Sequence, residues 1–233
     1  MRGQAIAGLR LALGLALGSA GQALAQPLTV VELFTSQGCS SCPPADANLA
    51  TLANRPGVLA LSFGVTYWDD LGWKDTFAKK AYTQRQWDYA RGLRHDNVAT
   101  PQMVINGRTD VVGNRLADVD RALRGAGAAT GGPAVTLAGG AVTVGAAARP
   151  AQIWLVRYEP SVLQVPVKRG ENTGKTLPIK NVVRELTRLG DWTGGPKSYA
   201  VPAAAPGLQI AGLKTAILVQ AGPGGPILAA ARS

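Results

Sequence analysis

The first regular pattern along the chain is the apolar run Leu28-Thr29-Val30-Val31-Glu32-Leu33-Phe34, which has the length and β-branched composition of a strand. Thr35 to Gly38 form a turn, and Pro43-Pro44-Ala45-Asp46 then opens a helix whose Ala45, Leu49, Leu52 and Ala53 share one face. Proline suits a first helical turn because its missing N–H would have had no intrahelical partner there. Asn54-Arg55-Pro56-Gly57 stops the helix. Val58-Leu59-Ala60-Leu61-Ser62-Phe63 follows as a short, almost wholly apolar run, the signature of a buried parallel strand. Beyond an aromatic loop from Tyr67 to Asp75, the spacing predicts a helix over 84–93, with Thr83 and Gln86 placed as a capping box. Gln102 to Ile105 and Thr109 to Val112 flank Asn106-Gly107, a hairpin signal because both residues accept positive φ. Leu116, Val119, Ala122 and Leu123 give a closing amphipathic helix.

From Gly125 to Gly132 the composition becomes that of a linker. The rest is a series of short strand signals: 134–137 and 141–144 about Gly139-Gly140, then 152–158, 165–169, 208–210, 214–220 and 226–230. Residues 181–189 fit helix or strand, and their neighbours favour strand. The expectation is an α/β domain over residues 26–126 followed by a small antiparallel β-sandwich domain over 133–233. The Gly170-Glu171-Asn172-Thr173-Gly174 segment reads as a tight turn.

Residues 1–25 change the picture of where the chain works. Arg2 and Arg10 stand at the head of an Ala/Leu/Gly run that ends in Ala23-Leu24-Ala25, the charged, apolar and small-residue series of a cleaved secretory signal. The run is shorter than the roughly 20 apolar residues of a membrane span. Cleavage leaves 208 of 233 residues and lowers the formal charge from +10 to +8. The expected setting is periplasmic or secreted, with no stable membrane insertion after cleavage. The basic residues are scattered among acids with no Lys/Arg block, so a solvated basic surface is expected and nucleic acid is not an expected partner.

Cys39 and Cys42 are the only cysteines, and Cys39-Ser40-Ser41-Cys42 falls at the predicted strand-to-helix turn. A thiolate there is stabilised by unpaired N–H groups and the positive end of the helix dipole. Cys39, before the helix, is the candidate nucleophile, and Cys42 would resolve the mixed disulfide. This chemistry needs the Cys39 sulfur reachable. A structural staple is the alternative, although so short a loop supplies little closure entropy. Two thiolates and a single histidine, His95, do not make a metal site, and no cofactor is expected. Glu32 is a candidate proton acceptor for Cys42 if it turns toward the dithiol, and a solvated strand residue if it does not. Tyr67, Trp68 and Trp73 are candidate substrate contacts, with core packing of the loop as the other reading.

The order strand, helix, strand, helix, strand, strand, helix, with C-x-x-C after the first strand and a proline before the third, resembles a thioredoxin-like domain. That resemblance implies that Pro101 is cis and lies against the disulfide, and that the backbone of Thr100 pairs with an incoming peptide. More closely, residues 32–46, Tyr67-Trp68-Asp69, Leu71 to Asp75 and Thr100 to Gly107 resemble the secreted bacterial family catalogued as domain of unknown function 1223. The expected function is an exported thiol-disulfide oxidoreductase acting on protein thiols or disulfides and recharged by a redox partner. The alternative is a non-enzymatic binding or assembly protein on a thioredoxin-like scaffold.

Overall fold

A computed structural model describes residues 27–127 and 131–233. The proposed signal sequence lies outside them. Chain order is β1 (Thr29–Thr35), α1 (Pro43–Leu52), β2 (Val58–Gly64), α2 (Lys80–Leu93), β3 (Gln102–Ile105), β4 (Thr109–Val111) and α3 (Leu116–Ala126). It continues with β5 (Val135–Ala138), β6 (Ala141–Val144), β7 (Ala151–Pro166), β8 (Thr176–Trp192), β9 (Lys197–Ala200), β10 (Lys214–Gln220) and β11 (Ile227–Arg232).

The predicted order of the first half holds throughout. β1 and β2 pair in parallel, β3 adds antiparallel to the other edge of β1, and β4 follows through a hairpin with Asn106 at φ 50° and Gly107 at φ 60°. Period two in β1 divides the helices between the faces. Val31 and Leu33 pack with α1 and α3, whereas Val30 and Phe34 pack with Tyr82 and Tyr89 of α2.

Two expectations change. α2 begins at Lys80, and Thr83 is no cap. Its hydroxyl instead accepts the Thr66 N–H at 2.9 Å, while Gln86 donates to the Ala99 carbonyl and to Gln102. The capping-box residues are thus used in tertiary contacts. The second half is also not a sandwich closed on itself. It does pack one antiparallel sheet on another, since Val142, Val144 and Tyr199 of the sheet β5-β6-β9 lie against Ile153, Leu155, Ile217 and Val219. But the larger sheet runs on into the first half, giving eight strands in the order β11-β10-β7-β8-β2-β1-β3-β4.

The join is a short parallel contact between β2 and β8, with Ser62 opposite Val182. Asn181, at φ 54°, donates its side-chain amide to the Ala60 carbonyl at 2.7 Å there. The β10–β11 turn also sits against α2. Gly224, at φ +65°, passes so close that a Cβ would stand 1.8 Å from the Asp88 carbonyl oxygen. β7 and β8, of 16 and 17 residues, extend beyond the sheet as a long hairpin arm. Val165, Val167, Leu177 and Ile179 on that arm pack against Trp73 and Phe77 of the aromatic loop. β9 has no clear sequence signal, and 208–210 is not a strand.

Candidate functional site

The turn leaving β1 is held from beneath before it reaches the cysteines. The Gln37 N–H donates to Asp75 Oδ2 at 2.8 Å, and Gln37 Oε1 accepts from the Trp73 indole at 2.9 Å. Cys42 occupies the N-cap of α1, with proline at the first helical positions. Cys39 and Cys42 form a disulfide with Cα atoms 5.4 Å apart. The Ser41 hydroxyl is 3.3 Å from the Cys39 sulfur, and the Thr100 carbonyl oxygen is 3.8 Å from it. The Thr100-Pro101 peptide bond is cis. Trp68 donates its indole N–H to Thr100 Oγ1 at 2.8 Å, so the aromatic loop, the proline turn and the disulfide meet at one place.

One requirement of the redox reading is not met in this state. Both cysteines are fully buried, at 0% exposure, while Ser40 and Ser41 beside them are exposed. The Ser41 hydroxyl and the Thr100 carbonyl lie against the Cys39 sulfur, and the Asn172 amide holds the Cys39 carbonyl. Trp68 and Trp73 are half-buried and hydrogen-bonded around the site, while Tyr67 is exposed. His95 is exposed past the end of α2 and lies 2.9 Å from Asp110.

Glu32 is buried but does not sit under the dithiol. Period two turns it to the α2 face, opposite α1. There Arg85 holds it through Nε at 2.7 Å and Nη2 at 3.0 Å, with the Tyr89 hydroxyl also donating to it. Arg85 further donates to Gln220 Oε1 of β10 at 3.0 Å. Glu32 therefore anchors a buried ion-pair network between β1, α2 and β10.

The carboxyl on the dithiol side is Asp46, one of the residues that open α1. It lies four residues after Cys42, one helical turn along the same face, and helical side chains lean toward the N-terminus. Thr35 Oγ1 donates to Asp46 Oδ2 at 3.2 Å, and Asp46 Oδ1 is buried without a hydrogen-bond partner among the described residues. Burial pushes the Asp46 carboxyl from its ordinary 3.8 up to about 8, with the Thr35 hydrogen bond opposing and the nearby Asp75 adding to the rise. Asp75 is also raised by burial, against the pull of N–H donation from Gln37, Phe77 and Ala78. An acidic residue in the first turn beside Pro-Pro was the available signal. Its burial depends on Thr35 facing α1.

The second half reaches the site through the β7–β8 turn. Asn172, fully buried, donates its side-chain amide to the Gln37 carbonyl at 3.0 Å and the Cys39 carbonyl at 2.9 Å. Glu171 Oε2 accepts the Ser40 N–H at 2.9 Å, and hydrogen bonds from Ser40 hold its carboxyl below the usual range. A segment expected to be only a turn is thus part of the dithiol's surroundings. Among the described residues no three His, Cys, Asp or Glu side chains gather as a metal site, and no helix is long and apolar enough to cross a membrane.

Fold and site together define a mixed α/β protein with an eight-stranded sheet, a three-stranded sheet and a C-x-x-C disulfide at a strand-to-helix turn. The chain belongs to the family described as protein of unknown function DUF1223, whose profile matches residues 30–220. The crystal structure of protein AGR_C_4864 from Agrobacterium tumefaciens is similar at 31% identity and a TM-score of 0.69, over 88% of this chain and 92% of that one. HBP35 of Porphyromonas gingivalis shares the fold at 16% identity and a TM-score of 0.64, over 89% of this chain and 75% of that one. No curated protein matches the chain.

Proposed function

We propose that the chain is an exported thiol-disulfide oxidoreductase of thioredoxin-like architecture, acting on protein thiols or disulfides in the periplasm or outside the cell. The observation that carries this reading is the meeting of the Cys39–Cys42 disulfide, at the N-cap of α1, with the Thr100 carbonyl that precedes Pro101. In the reduced form, the Cys39 thiolate attacks a substrate disulfide and expels one substrate thiolate. Cys42 then attacks the Cys39 sulfur, closing the disulfide and releasing the second substrate thiolate. Two electrons pass from the dithiol to the substrate, and Asp46 accepts the Cys42 proton. Its carboxyl, pushed up to about 8, is ionised in roughly a tenth of molecules at pH 7, so it takes up that proton more readily as pH rises toward 8. A redox partner restores the dithiol, or withdraws the electrons when the flow runs the other way. Thr100, Trp68 and Trp73 line the approach, and the disulfide must be uncovered before a substrate sulfur reaches Cys39.

The burial of both cysteines favours a second reading, a binding or assembly protein in which the disulfide is a staple. The two are separated with the mature Cys42→Ser variant and a model protein disulfide. The redox reading expects a mixed disulfide through Cys39 that is absent from Cys39→Ser. A Cys42→Ser protein that traps nothing supports the staple.

A further inference from the structure

Beyond the Ser41 hydroxyl, 3.3 Å from the Cys39 sulfur, the backbone around Ser40 offers few donors to an ionised sulfur. Pro43 and Pro44 contribute no N–H to the first turn of α1. The Cys42 N–H is spent on the Cys39 carbonyl at 3.2 Å. The Ser40 N–H, on the peptide bond that follows Cys39, goes to Glu171, 131 residues away in sequence. One of the backbone donors just before α1 that a thiolate could draw on therefore already serves a carboxylate. That carboxylate is fixed by its neighbour, since Asn172 grips the carbonyls on either side of Gly38. The turn is seated in turn against the aromatic loop, where a Cβ on Gly170 would meet Trp73 Cβ at 3.3 Å.

We propose that the β7–β8 turn is a clasp by which the second half of the chain sets the reactivity of Cys39. Glu171 is its positioning residue: it takes the Ser40 N–H and places a negative charge beside the reduced sulfur, holding that sulfur in its less reactive, protonated form. Asn172 keeps the clasp in register with the dithiol turn. This assignment rests on the redox reading above and gives the second half a part in it. The other charged groups around this corner are Asp46 and Asp75 on the α1 side and Lys175, whose ammonium donates to Asn172 Oδ1 at 2.9 Å. The exposed Lys168 and Arg169 flank the turn.

The test is the rate at which iodoacetamide alkylates Cys39 in the reduced mature chain, followed from about pH 4 to about pH 10 and mapped by peptide. Glu171→Gln keeps an oxygen to accept the Ser40 N–H and removes only the charge. It should lower the midpoint of the rate profile by about half to one unit, so that below the midpoint Cys39 reacts roughly three to ten times faster. The dithiol should become more oxidising by up to about 30 mV, the equivalent of a tenfold change for a two-electron couple. Glu171→Asp, which keeps the charge, should return toward the wild-type profile, and about 1 M salt should shrink the difference. An unchanged midpoint and potential in Glu171→Gln, with Cys39 reactive in every protein, overturns the clasp and leaves the dithiol reading standing. A Cys39 inert in every protein after reduction overturns both.

Discussion

Asp46 gives the sharpest physical test of the site, because its burial makes stability depend on pH in a direction opposite to most carboxylates. In the unfolded chain its proton leaves near the ordinary 3.8, whereas in the folded chain it stays until about 8. Between those values the folded state binds more protons than the unfolded state, so stability falls as pH rises, by about 1.4 kcal/mol per unit for one group. Below the lower value the group is neutral in both states and contributes no pH dependence. Above the upper value the whole loss has been incurred. At pH 7 the span is about three units, which sets a ceiling near 4 kcal/mol. The amide of Asp46→Asn cannot ionise and can still use the Thr35 hydroxyl, so the variant should escape this loss. We expect it to be more stable than wild type by about 2–4 kcal/mol at neutral pH, with the gap closing toward zero near pH 4. Urea unfolding of the oxidised proteins across that range, extrapolated linearly, reads the difference. A gap that stays constant with pH, or a variant less stable than wild type at pH 8, refutes the assignment of a buried, proton-holding Asp46.

Glu32→Gln leaves the Arg85 guanidinium buried without its counter-charge and should cost about 3–5 kcal/mol of stability, while the alkylation profile of reduced Cys39 stays as in wild type. A changed profile would return Glu32 to the dithiol. Asn172→Ala removes donors from two carbonyls, of which only that of Cys39 keeps another partner, and should cost roughly 2 kcal/mol by the same unfolding measurement. Gly224→Ala has no room beside α2 and should lose about 2–3 kcal/mol in one cooperative transition. Separate transitions for the two halves would contradict the continuous sheet.

What the sequence disclosed was local. Apolar runs, Pro-Pro at a helix start, Asn106-Gly107 at φ values that only a few residues accept, and the helical spacing of Leu116, Val119, Ala122 and Leu123 each act within a few residues, and all appear in the fold. The family was legible for the same reason, from contiguous segments around Cys39, Tyr67 and Thr100. The rest depended on contacts far apart in sequence. Alternation along β1 separates Glu32 from Val31 and Leu33, but which of those faces α1 covers follows only from packing. The β2–β8 join rests on Ser62 opposite Val182 and on Asn181 reaching Ala60, too slight a pattern to stand out among many strand signals. Glu171 of the β7–β8 turn is 131 residues from Ser40, whose N–H it accepts, and the glycines of that turn are equally those of an ordinary turn.

The central claim is that Cys39 and Cys42 exchange electrons with other thiols rather than staple a turn. Equilibrating the mature chain with glutathione buffers and following the Cys39–Cys42 pair tests it most directly. The account predicts a measurable equilibrium within the range of exchange-active dithiols, about −120 to −270 mV. A pair that remains oxidised below about −300 mV would contradict it, and would mark the disulfide as structural.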